Sequence, residues 1–141
     1  MELLQKKNII LGCKPKEKES VIQEVGRMLF NSGYVEEDYI IGMLERENTF
    51  STNIGNGIAI PHGVEASKQN IKISGLSVMV FPEGTMWNDE PVYIVIGIAA
   101  VGDEHLDILA NIADKLSDME AVKKLIISDE DTIYNIFMGK E

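Results

Sequence analysis

Two histidines stand in this chain of 141 residues, and one of them is placed for chemistry. His62 lies between a proline and a glycine at the end of Gly55-Asn56-Gly57-Ile58-Ala59-Ile60-Pro61-His62-Gly63. The apolar run before it reads as a buried strand, which Pro61 ends because proline has no N–H to give to a ladder. The imidazole is thereby lifted out of a core strand and held on a stiff bend at the surface. Pro61 fixes its own φ, and Gly63 allows a positive φ and close approach of a partner. An imidazole of ordinary pKa, about 6.5, is largely neutral at physiological pH, so it can act as a base, a ligand or a nucleophile.

His105 follows an apolar strand within Gly102-Asp103-Glu104-His105-Leu106, at the expected start of a helix. Strand ends that open into helices are where α/β folds build sites. There His105 can join His62 as a hydrogen-bond donor to an anion. The competing reading is an exposed histidine satisfied by Asp103 or by solvent. Arg46, in Leu44-Glu45-Arg46-Glu47, lies at the end of the helix that feeds the glycine loop. Its guanidinium can reach an anion near His62, or it pairs with Glu45 or Glu47, an arrangement worth little at a surface.

Other chemistries lack their residues. Gly55-Asn56-Gly57 is followed by no Gly-Lys-Ser/Thr, so it is no nucleotide-binding Walker loop, and it opens no helix, so it is no dinucleotide fingerprint. Ser51 and Thr52 have no triad context. The two histidines with Asp103 and Asp107 can be imagined around a metal, but no spacing favours it. Cys13, the one cysteine, reads as a small residue at the edge of the core and excludes an internal disulfide.

The elements that must position these groups follow from periodicity. Residues 8–12 read as a short buried strand. A helix from about residue 16 carries Val21, Ile22, Val25, Met28 and Leu29 on one face and stops at Asn31-Ser32-Gly33. A second helix starts near Glu36-Glu37-Asp38, with Tyr39, Ile40, Met43 and Leu44 inward. Residues 51–56 read as loop, 58–60 as strand, 65–70 as a polar connection and 71–81 as strand. Pro82-Glu83-Gly84 reads as a turn continued by residues 87–90. Residues 92–100 are the most apolar stretch, a central strand covered on both faces. Helices are expected at 104–116, at 120–127 and from Ser128, a candidate N-cap with Asp131 as a partial capping box, to about Met138. Interleaved strands and helices make the fold α/β (mixed α+β): a three-layer sandwich in which a small mixed β-sheet is flanked by helices on both faces. No repeat or linker divides the chain, so residues 1–141 are expected to form one domain.

Composition narrows the partners. Hydrophobic residues make up 45%, enough for a core, and 23 acidic against 13 basic residues give net −10. Such a surface repels nucleic acid and anionic membranes and suits a basic protein partner. The N-terminus lacks a signal-peptide h-region and no apolar run is long enough to span a membrane, so a cytoplasmic protein is expected.

The run Ser51-Thr52-Asn53-Ile54 through Pro61-His62-Gly63 closely resembles the active-site signature of enzyme IIA components of the mannitol/fructose class, from the bacterial phosphoenolpyruvate-dependent sugar phosphotransferase system. The likeness runs from about residue 8 to 137, including Leu44-Glu45-Arg46-Glu47 and Ile96-Gly97-Ile98-Ala99-Ala100 with Glu104-His105. Gly33-Tyr34-Val35-Glu36 and Phe81-Pro82-Glu83-Gly84 point to the mannitol-specific type. The resemblance implies a phosphotransferase that accepts a phosphoryl group from phospho-HPr on Nε2 of His62. It would pass that group to a cysteine of the cognate IIB domain, which works with membrane-embedded IIC in mannitol uptake. It implies that His105 borders the phosphoryl group, that Arg46 is a basic position near it, and that no cofactor, metal or nucleotide is needed. Loop N–H groups around Gly63 and in the first turn of the His105 helix could also hold negative charge. Alternatives are a fructose-type or regulatory IIA with the same phosphohistidine chemistry, a IIA-like non-catalytic regulatory module, and a metal-dependent hydrolase.

Overall fold

The computed structural model describes residues 2–139, except the side chains of His105 and Leu106. After a 3-10 turn at Lys6–Asn8 the elements run β1 (Ile9–Ile10), α1 (Lys18–Asn31), α2 (Tyr39–Thr49), β2 (Asn53–Gly55), β3 (Ile58–Ala59), a 3-10 segment at Glu65–Asn70, β4 (Gly75–Trp87), β5 (Glu90–Ala99), α3 (Glu104–Lys115), α4 (Met119–Ile126) and α5 (Glu130–Met138). The strands form one mixed sheet in the order β1-β4-β5-β3-β2. β1 and β4 are parallel, β4 and β5 antiparallel, β5 and β3 parallel, β3 and β2 antiparallel.

Alternation along β5 builds both cores at once. Ile94, Ile96 and Ile98 face a layer made by Ile108 and Ile112 of α3, Val122 and Leu125 of α4, and Ile133 and Phe137 of α5. Val95 and Ala99 face the opposite layer, made by Val21, Ile22, Val25 and Leu29 of α1 and Tyr39 and Met43 of α2. A strand covered on both faces must be apolar throughout, and each such side chain contributes about 1.5–3 kcal/mol. Gly97 is required by packing: a Cβ there would lie 2.9 Å from Val25 Cβ and 2.5 Å from Ser77 Oγ. This is the expected sandwich, and the amphipathic faces of α1 and α2 are those the periodicity selects. Among the described residues no helix is long and apolar enough to cross a membrane.

Four expectations are corrected. Residues 51–56 are not all loop: β2 and β3 form a hairpin around Asn56 (φ 55°) and Gly57 (φ 78°), two successive left-handed residues that suit a tight turn. The connection at 65–70 is a 3-10 helix. Pro82-Glu83-Gly84 is not the reversal; β4 starts later, at Gly75, and runs on through these residues to Trp87 with a register shift between Val80 and Thr85. The chain turns instead at Asn88, whose φ is 61°, after a bulge that tolerates Pro82. The cap of α5 is Asp129, which accepts from Thr132 N–H at 2.8 Å, while Ser128 donates its hydroxyl to Lys124 O.

Candidate active site

Beyond β3 the chain keeps one further parallel bridge to the central strand, between His62 and Ile98. Ile98 N–H donates to Pro61 O at 2.9 Å, and Ile60 N–H donates to Thr52 O at 3.0 Å. The bend is thus an extension of the sheet. His62 is half-buried, and its Nδ1 lies 2.8 Å from Ile60 O. A carbonyl oxygen only accepts, so Nδ1 carries the proton, and the lone pair of the neutral ring lies on Nε2. The same bond fixes the ring's orientation.

Gly63 departs from expectation in two ways. It does not have a positive φ. It is glycine because a Cβ would lie 2.2 Å from Ser67 Oγ and 2.6 Å from Tyr39 Cε1. Its N–H, expected to hold an anion, is given at 2.9 Å to the hydroxyl of Tyr39, and the next one, Val64 N–H, goes to Gly42 O. Tyr39 in turn donates to Ile98 O at 2.8 Å. Burial pushes the Tyr39 phenol up to about 12, against the smaller opposing effect of the Gly63 N–H, so the phenol keeps its proton.

A pocket of about 160 Å³ opens at this bend, lined by His62, Tyr39, Gly63, Arg46, Lys68 and Ala100 among others. Arg46 stands in the last turn of α2, half-buried, its Nη1 donating to Phe50 O at 2.8 Å. That bond satisfies a carbonyl just past the helix end and holds the guanidinium over the pocket wall. Lys68 reaches the same pocket from the 3-10 segment and pairs with Glu65 at 3.4 Å. The pocket therefore joins a ring nitrogen with a lone pair to two side chains of fixed positive charge, a composition suited to a tetrahedral anion. The structure brings His62 and Arg46 together. His105 lies in the first turn of α3, and its side chain is outside the described residues.

Three residues of this region carry no local sign of their place in it. Lys68 lies in a polar stretch of sequence, with no sign that a helical turn returns it to His62. Tyr39 reads from its spacing as core. Glu47, offered as a surface partner of Arg46, is buried instead, accepting from Thr52 N–H and from Trp87 Nε1–H at 3.0 Å, with Thr52 Oγ1 donating at 2.5 Å. Lys18 approaches the same carboxylate at 3.9 Å. These bonds anchor the start of the segment whose Thr52 carbonyl holds Ile60 in place.

The fold is a helix-covered mixed sheet that presents an imidazole beside two cations. Residues 2–139 match the family "Phosphoenolpyruvate-dependent sugar phosphotransferase system, EIIA 2", and the chain belongs to that family. Its likeness is to mannitol-specific members. It is 46% identical over 136 residues to the mannitol-specific phosphotransferase enzyme IIA component of Bacillus subtilis (strain 168), covering 94% of this chain and 95% of that protein. It is 42% identical over 136 residues to the mannitol-specific EIICBA component of Buchnera aphidicola subsp. Baizongia pistaciae (strain Bp), where it covers 93% of this chain and 21% of the longer protein. The fold superposes with a TM-score of 0.89 on the complex of mannitol enzyme IIA with phosphorylated enzyme IIB from Escherichia coli, at 31% identity, covering 97% of this chain and 99% of that one.

Proposed function

We propose that this protein is a cytoplasmic phosphoryl carrier for mannitol uptake, with His62 Nε2 as the acceptor atom. The observation that carries the reading is the Nδ1–H bond to Ile60 O, in a pocket shared with Arg46 and Lys68. In the first transfer an N–P bond forms at Nε2 as the N–P bond of phosphohistidine on HPr breaks. The Nδ1 proton stays on the ring, so the phosphorylated imidazole gains positive charge, which the Ile60 carbonyl stabilises. The same charge makes the ring a good leaving group in the second transfer, when a cysteine thiolate of IIB forms an S–P bond and the His62 N–P bond breaks. Such transfers need positioning and charge stabilisation more than acid–base chemistry. Arg46 and Lys68 offset charge on the equatorial oxygens, with His105 as a third donor. The partnership with IIB and IIC is supported by the IIA–IIB complex and the EIICBA fusion among the relatives. The net charge of −10 favours a basic face on HPr.

The test is phosphorylation with phosphoenolpyruvate, enzyme I and HPr. One histidine is expected to take an acid-labile, base-stable label, discharged by the mannitol IIB domain. His62→Ala is expected to take none, and a persistent label on that variant overturns the assignment.

A further inference from the structure

We propose that Tyr39 is a positioning residue for the acceptor histidine, its phenol splicing the His62–Gly63 peptide to the backbone of the central strand. The inference rests on the carrier reading for its effect on rate, and on geometry for the clamp itself. Ile98 N–H takes the Pro61 carbonyl, the peptide on the N-terminal side of His62. In an uninterrupted parallel ladder the next link would run from Gly63 N–H to Ile98 O. Here the phenol oxygen accepts the Gly63 N–H at 2.9 Å and donates its own proton to Ile98 O at 2.8 Å. Both peptide units flanking His62 therefore end on the same residue of β5, one directly and one through Tyr39.

The ring of Tyr39 completes the clamp. It is 2% exposed, and a Cβ on Gly63 would stand 2.6 Å from Cε1, so the glycine α-carbon packs directly against it. The phenol remains protonated across the physiological range because burial opposes its ionisation. Its helix, α2, also supplies Arg46 two turns further along and Gly42, whose carbonyl holds Val64 N–H at 3.2 Å. One helix thus fixes the bend after the acceptor and presents a cation to it. With the backbone held on both sides of His62, the ring keeps the orientation in which Nδ1 meets Ile60 O. Without the hydroxyl, Gly63 N–H and Ile98 O lose their shared partner and the bend relaxes. A displacement of about 1 Å at a reacting atom costs on the order of 10²-fold in rate.

The experiment compares wild-type protein with Tyr39→Phe, which keeps the ring and removes the hydroxyl. Transfer from phospho-HPr is expected to fall ~10–10²-fold in kcat, with KM within about twofold because the docking surface is untouched. Nitrogen NMR of His62 is expected to show the Nδ1–H tautomer dominant in wild type and mixed with the other tautomer in the variant. A folded Tyr39→Phe protein with wild-type kcat and wild-type tautomer overturns the proposal. Should the variant not fold, amide hydrogen exchange in the wild type decides: protection of Gly63 matching that of Ile98 is expected, and exchange at the rate of an open loop overturns it. A wild-type chain that takes no phosphate refutes the carrier reading separately, while the tautomer and exchange measurements still judge the clamp.

Discussion

The two walls of the pocket are built to different standards. On one side the His62 ring hangs from backbone: Pro61 and Gly63 are tied to β5, and Nδ1 is tied to Ile60. On the other side Arg46 and Lys68 extend long side chains, bonded at their tips to Phe50 O and to the exposed Glu65. In the proposed transfer the His62 nitrogen must be in place before a donor protein docks, because in-line attack tolerates little error. The cations only neutralise charge, and flexible stems let them follow a phosphoryl group as it arrives and leaves. Substitutions on the cationic side should slow transfer without loosening the fold, whereas changes to the backbone side should register in both.

The largest effect is expected from His105→Ala, the third donor of the proposed transfer. Removing one donor to a developing anion costs ~10²–10³ in rate, and steady-state transfer from phospho-HPr should show this while the thermal midpoint stays put. An unchanged rate would leave charge stabilisation to Arg46 and Lys68. The next effect lies on the rigid side. The folded-state pKa of Tyr39 is raised from the ordinary 10.0 to about 12, so its neutral form is favoured by folding. The stability this represents is fully present below pH 10 and is lost as pH rises through about 12. The loss amounts to about 2–3 kcal/mol, since one pKa unit is 1.36 kcal/mol. Denaturant titrations between these pH values should show a steeper alkaline decline in wild type than in Tyr39→Phe. Tyr34, also raised by burial, contributes equally to both proteins. The smallest effects belong to the two cations. Arg46→Gln should slow transfer ~10-fold, the scale of one charged hydrogen bond, and Lys68→Gln by less than about fivefold, as fits an exposed lysine. Rapid-quench kinetics on the two variants would rank them, and a larger loss for Lys68 would make it the principal cation.

Local signals carried most of the architecture. The continuous apolar run of β5 marks a strand covered on both faces, and the spacing of Val21, Ile22, Val25 and Leu29 marks the inner face of α1. The site was legible where a residue declares its own constraint, as His62 does between Pro61 and Gly63. Roles set by long-range contact were not. Nothing near Tyr39 in the chain announces that its hydroxyl lies between Gly63 and Ile98, and nothing near Glu47 announces Trp87, forty residues away. The hairpin at Asn56-Gly57 could have been found, since Asn-Gly before an apolar pair is a strong turn signal. Its edge strand Asn53–Gly55 is too short and too polar to show alternation. The continuation of β4 through Pro82 had no local sign, because the bulge that accommodates it is defined by pairing with β5.

One residue of the central strand, Ile98, receives both peptide links that flank His62. The position of that ring is therefore inherited from the interior and owes little to the exterior shell. Side chains that greet a partner can diverge, or be redesigned to recognise a foreign one, without retuning the reactive centre. A domain built this way lends itself to rewiring: a new docking face can be grafted around an unaltered His62.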